Sequence, residues 1–75
     1  MGRQKRTEAT RRLSLDMPES VRDRLERLRE QTGADSLAEV IRRSLALYEL
    51  LWEQKAANAE ISIEKNGAKK VIVLV

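Results

Sequence analysis

Residues 10–18 read TRRLSLDMP. From Arg12 the stretch alternates strictly: Arg12, Ser14 and Asp16 fall on one side, and Leu13, Leu15 and Met17 on the other. A two-residue period is that of a half-buried β-strand. Pro18 has no N–H to give to a ladder and ends it. The chain turns helical immediately afterwards, so the fold is decided by what this strand pairs with.

Downstream, Pro18 suits the first turn of a helix, where a missing N–H costs nothing. Val21, Leu25 and Leu28 then recur at four and three residues, one apolar stripe on a charged helix that ends near Gly33, a residue free to adopt the left-handed conformation. The first helix is expected over 18–32. Ser36 and Glu39 have the spacing of a capping box, which places the start of a second helix near Leu37. Its apolar positions, Leu37, Val40, Ile41, Leu45, Tyr48, Leu51 and Trp52, are widened by Leu47 and Leu50 into more surface than one partner helix can cover. The final segment, EISIEKNGAKKVIVLV, has the form of a β-hairpin around Asn66-Gly67. A two-residue loop sets Ile63 opposite Lys70. A three-residue loop keeps Ile61, Ile63, Val71 and Val73 on one face and is the expected register. The chain thus divides into a flexible basic arm over 1–9, a strand and two helices over 10–57, and a hairpin over 58–75.

Seventy-five residues make one small domain, a size at which association often supplies what a single core lacks. There is no cysteine and no histidine, which excludes disulfides, thiolate nucleophiles, imidazole bases and the usual zinc sites. The acidic residues of the first helix are spread along a mixed-charge face with no convergent pair, and there is no glycine-rich phosphate loop; no enzyme and no cofactor are expected. The charge is unevenly placed. Arg3, Lys5, Arg6, Arg11 and Arg12 stand against Glu8 alone in the first twelve residues, although the whole chain carries only +3. Such an arm is either a nucleic-acid contact or a solvated tail. With no apolar run in the arm and a tail far too short to span a bilayer, the expected compartment is the cytoplasm.

Two partners are open to the first strand: the C-terminal hairpin, or the identical strand of a second molecule. The hairpin is already paired with itself. A symmetric antiparallel ribbon would set two copies of Leu13, Leu15 and Met17 over the helices, so a homodimer is the more economical solution.

An alternating basic strand, M-P-E-S-V opening a charged helix, T-G, and then S-x-x-E-V-I-R-R together resemble the ribbon-helix-helix DNA-binding superfamily of the Arc, methionine-repressor and CopG type, over about residues 10–52. The resemblance implies a mainly α fold with a short N-terminal strand, an intertwined homodimer with an intermolecular two-stranded antiparallel ribbon, and here an added C-terminal β-hairpin. It implies that the ribbon enters the major groove of double-stranded DNA, with Arg12, Ser14 and Asp16 outward toward base edges. Phosphate would be held at the start of the second helix, by the backbone near Ser36, Leu37 and Ala38. Arg3, Lys5, Arg6 and Arg11 would add backbone contacts from the arm. Leu13, Leu15, Met17, Val40, Ile41, Leu45 and Tyr48 would form the dimer core. Asp16 is expected to orient the partner's Arg12 more than to touch a base. The function implied is that of a transcriptional repressor, with higher-order assembly on DNA an added option. The alternative is an antitoxin that binds a toxin or another protein through its C-terminal segment. Helix-turn-helix is the rival architecture; its reading helix is usually short, and the second helix here is long and broadly apolar.

Overall fold

The computed structural model describes residues 8–75. Its elements are α1 (Glu19–Thr32), α2 (Leu37–Ala56), β1 (Ile61–Lys65) and β2 (Ala68–Ile72). Residues 8–18 form no regular secondary structure. The expected N-terminal strand is therefore corrected, and with it the strand-first ribbon-helix-helix order and its two-stranded ribbon: the chain runs helix, helix, hairpin. The physical reason lies in pairing. Alternation earns a strand only where a neighbouring edge accepts its N–H and C=O groups, and β1 and β2 are paired with each other in a sheet of two.

Local signals carry the helices. Pro18 precedes α1, and its carbonyl accepts from the N–H groups of Val21 and Arg22. At the other end Gly33 takes φ +69°, and Ala34 N–H donates back to Arg29 O at 3.0 Å, the long bond of a Schellman turn. Ser36 Oγ accepts from Glu39 N–H at 3.1 Å, one half of a capping box and a contribution of about 1 kcal/mol. The other half is not made, because the Glu39 carboxylate turns to Arg42 and Arg43. Helix α2 ends as α1 does: Asn58 takes φ +64° and Ala59 N–H reaches Gln54 O at 2.9 Å, which aims the chain into β1.

The hairpin closes on two residues, not three. Asn66 (φ +52°) and Gly67 (φ +81°) are both left-handed, as a type I′ turn requires. The register pairs Ile61 with Ile72, Ser62 with Val71 and Ile63 with Lys70. The expected three-residue loop is thereby corrected: the I′ turn matches the right-handed strand twist, and that outweighs keeping four branched side chains on one face. Ile61, Ile72 and Leu74 are half-buried, whereas Val71 and Val73 occupy the opposite face. The segment after β2 returns along α2, where Tyr48 Oη–H donates to Val75 O (3.3 Å) and Lys55 Nζ to Leu74 O (3.2 Å).

The core is small. Among the described residues only Ala34 (5 % exposed) and Val40 (4 %) are buried, at the junction of α1 and α2. Thirteen large apolar side chains stay exposed, among them Leu13, Leu15, Ile41, Leu45, Leu47 and Leu50. The Cα radius of gyration is 16.7 Å, against about 11 Å for a compact chain of this length. This single chain does not close a core of its own.

Candidate nucleic-acid interface

No strand forms over residues 10–17, and side chains from both sides of the alternation are exposed, with Met17 half-buried. Leu13, Leu15 and Met17 line an open groove whose opposite wall is Leu25 of α1 and Leu37 and Ile41 of α2. Arg11, Arg12 and Ser14 are exposed and take no part in that groove. Asp16 departs from the expected pattern: it is exposed but stands at the groove with Arg22. Of the expected dimer core, Val40 is buried and Met17 half-buried, while Leu13, Leu15, Ile41, Leu45 and Tyr48 are exposed.

The start of α2 lies beside this segment through Leu37 and Ile41. Leu37 and Ala38, in its first turn, have N–H groups without an intrahelical acceptor, as at any helix start. The helix dipole adds a partial positive charge there. Ser36 and Leu37 are half-buried and Ala38 is exposed. Of the expected phosphate contacts, Arg3, Lys5 and Arg6 lie outside the described residues, as does most of the expected arm.

Arg42 and Arg43 are committed elsewhere. Arg42 Nη2 donates to Glu39 Oε1 at 2.9 Å and Arg43 Nε to Glu39 Oε2 at 3.2 Å, and Arg43 Nη1 also reaches Thr32 O at the end of α1 (3.3 Å). The hydrogen bonds from Arg42 and then Arg43 hold the Glu39 carboxyl below its ordinary value of 4.5. A depressed carboxylate adds stability above its unfolded value and loses it as pH falls through the folded one. Urea midpoints of the protein and of Glu39→Gln should therefore differ by a steady amount near neutrality and begin to converge as pH falls below about 4.5; a gap that did not narrow on acidification would refute the pairing.

Sequence inspection missed two features here. Glu39 appeared only as half of a cap, yet its i,i+3 and i,i+4 spacing to Arg42 and Arg43 marks it as their anchor. Trp52 and Lys55 are likewise three apart, and Lys55 Nζ sits 4.8 Å from the Trp52 ring centroid. That contact and the bond to Leu74 O tie the lysine to the packing of the hairpin tail.

No group of acidic side chains that could hold a metal ion occurs among the described residues. No helix among them is long and apolar enough to cross a membrane. Comparison of the chain with protein-family models, curated proteins and solved structures found no match.

Proposed function

We propose that the protein binds double-stranded DNA as a homodimer and represses transcription by occupying its site, without performing chemistry. The observation that carries this is the basic N-terminal segment: Arg11, Arg12 and Ser14 are exposed beside an open groove that Leu13, Leu15 and Met17 line with Leu37 and Ile41 at the start of α2. Arginine can make two hydrogen bonds to guanine, and serine suits several base edges. Arg11 and the amides of Leu37 and Ala38 are suited to phosphate, which positions a protein without reading sequence. Arg42 and Arg43 share the one Glu39 carboxylate, whereas Arg11 and Arg12 hold no ion pair among the described residues.

Homodimerisation enters for an independent reason. An apolar face as wide as that of α2 needs a cover, and a second copy brings the same face in self-complementary form. The resemblance to ribbon-helix-helix proteins supports the DNA-binding part of this proposal; the strand-first architecture is not carried with it.

The test is selection of bound sequences from a pool of random duplexes by the full chain. Enrichment of a short palindromic or repeated site is expected. A pool that returns unchanged from successive rounds, at low salt as well as moderate salt, would end the proposal.

A further inference from the structure

The β2 edge of the hairpin has a feature that the DNA-binding proposal does not use. Lys65 and Ala68 flank the two-residue turn and form a hydrogen-bonded pair, so such pairs recur at Ile63–Lys70 and Ile61–Ile72. The backbone groups of Lys69 and Val71 therefore face away from β1, along an edge that carries no third strand. Native edges are usually blunted by charge, proline or a bulge. The outer half of β2 and its continuation read VIVLV, with none of these. Val71 is 51 % exposed and Val73 77 %. The one lysine whose backbone faces this edge, Lys69, has its Nζ drawn to Glu60 Oε1 at 2.8 Å. The β1 edge is different: Glu60, Ser62 and Glu64 alternate along it.

We infer that β2 is an association surface for β2 of a second copy, antiparallel about a two-fold axis near Val71, so that two hairpins form one four-stranded sheet. Charge removes the β1 edge as a partner for itself, and closure removes β1 against β2 of another copy, a head-to-tail contact that leaves a β2 edge free where a two-fold pair of β2 strands does not. Two β1 edges paired about Ser62 would set Glu60 opposite Glu64 on both sides of the axis, and like charges directly opposed are destabilising. Two β2 edges paired about Val71 set Lys69 opposite Val73 and Lys70 opposite Ile72, with the two Val71 side chains in contact at the axis. No like charges meet. The I′ register is what makes this possible, since it removes Val71 and Val73 from the face shared with Ile61 and Ile72. The edge from Lys69 to Val73 makes no hydrogen bond to α2 among the described residues; the tail beyond it does, at Leu74 and Val75. Where this edge and the α2 face both operate, four copies assemble and two DNA-binding dimers are held together; that count rests on the proposed dimer, whereas the edge pairing does not.

Analytical ultracentrifugation of the full chain without DNA tests it, beside Val71→Lys, Val73→Lys and Ser62→Lys. Val73 lies beyond the last paired residue of the hairpin, so its substitution leaves the turn and ladder intact even should Val71→Lys disturb them. Ser62→Lys adds the same charge to the same face but on β1, away from the joined edges. The expected result is a wild-type mass of four copies, two copies for Val73→Lys and for Val71→Lys, and four for Ser62→Lys. A wild-type dimer reduced to a monomer by Val73→Lys would keep the edge pairing and remove the α2 dimer. An unchanged mass in Val73→Lys would overturn the edge pairing, and so would equal loss in Ser62→Lys, which would mean that whole sheet faces stack.

Discussion

Ile41→Glu combined with Leu45→Glu is expected to leave a monomer without a cooperative thermal transition. Both side chains are about half exposed in the single chain, Ile41 at 43 % and Leu45 at 57 %. Were that chain the working form, two exposed apolar-to-charged changes would be close to neutral, within about 0.5 kcal/mol each. Glutamate is also a better helix former than isoleucine, so α2 itself would not suffer. In a two-fold dimer built on α2, each substitution occurs twice. Four carboxylates would then lie in one apolar interface, each costing several kcal/mol when unpaired. A small domain has roughly 5–15 kcal/mol in hand, so dimer and fold should fail together. Ultracentrifugation and circular dichroism on heating would show it; a variant that kept the wild-type mass and melting profile would remove α2 from the interface.

What was legible in the sequence follows the range of the forces involved. Helix α1 was expected over 18–32 and runs from Glu19 to Thr32; α2 was expected from Leu37 and begins there. Gly33 and Ser36 mark those limits because a left-handed residue and a side-chain cap act within a few residues of the backbone they satisfy. The strand at residues 12–17 was misplaced because its evidence, alternation, states which way side chains divide and nothing about what receives the backbone. Leu13, Leu15 and Met17 do line a groove with Leu25, Leu37 and Ile41, but Asp16 from the other side of the alternation lines it too. The hairpin register failed for a related reason. A count of branched residues on a face favoured the three-residue loop, but Asn66 and Gly67 are a turn in themselves, and Ile63 is left opposite Lys70 with more than half its surface exposed. Within the candidate interface, Arg12 and Ser14 are exposed, but so are Leu13 and Leu15 on the other side of the alternation. Asp16 was not separable from them by period alone, because its approach to the groove beside Arg22 depends on where α1 lies.

On the DNA site recovered by selection, Arg12→Ala should weaken binding by about 1–3 kcal/mol for each half-site and flatten the preference at one base pair, the cost of a lost two-bond contact to guanine. Arg11→Ala should behave differently. Its expected loss is nearly the same on the selected site and on a scrambled duplex, with the slope of log affinity against log salt reduced by about 1 per phosphate contact removed. Both arginines are exposed and neither holds an ion pair among the described residues, so neither substitution should move the melting temperature. The comparison therefore separates reading from attraction on two neighbouring residues of the same type. It also tests the alternation read in the sequence, where Arg12 shares a side with Ser14 and Arg11 lies on the other with Leu13, although both arginines are exposed. Ser14→Ala should relax preference at an adjacent base pair with no change in salt slope, because a neutral hydroxyl releases no counterion. Should Arg12→Ala and Arg11→Ala lose the same amount on both duplexes, the segment would hold DNA without reading it, and the base-reading role given to Arg12 and Ser14 would be withdrawn.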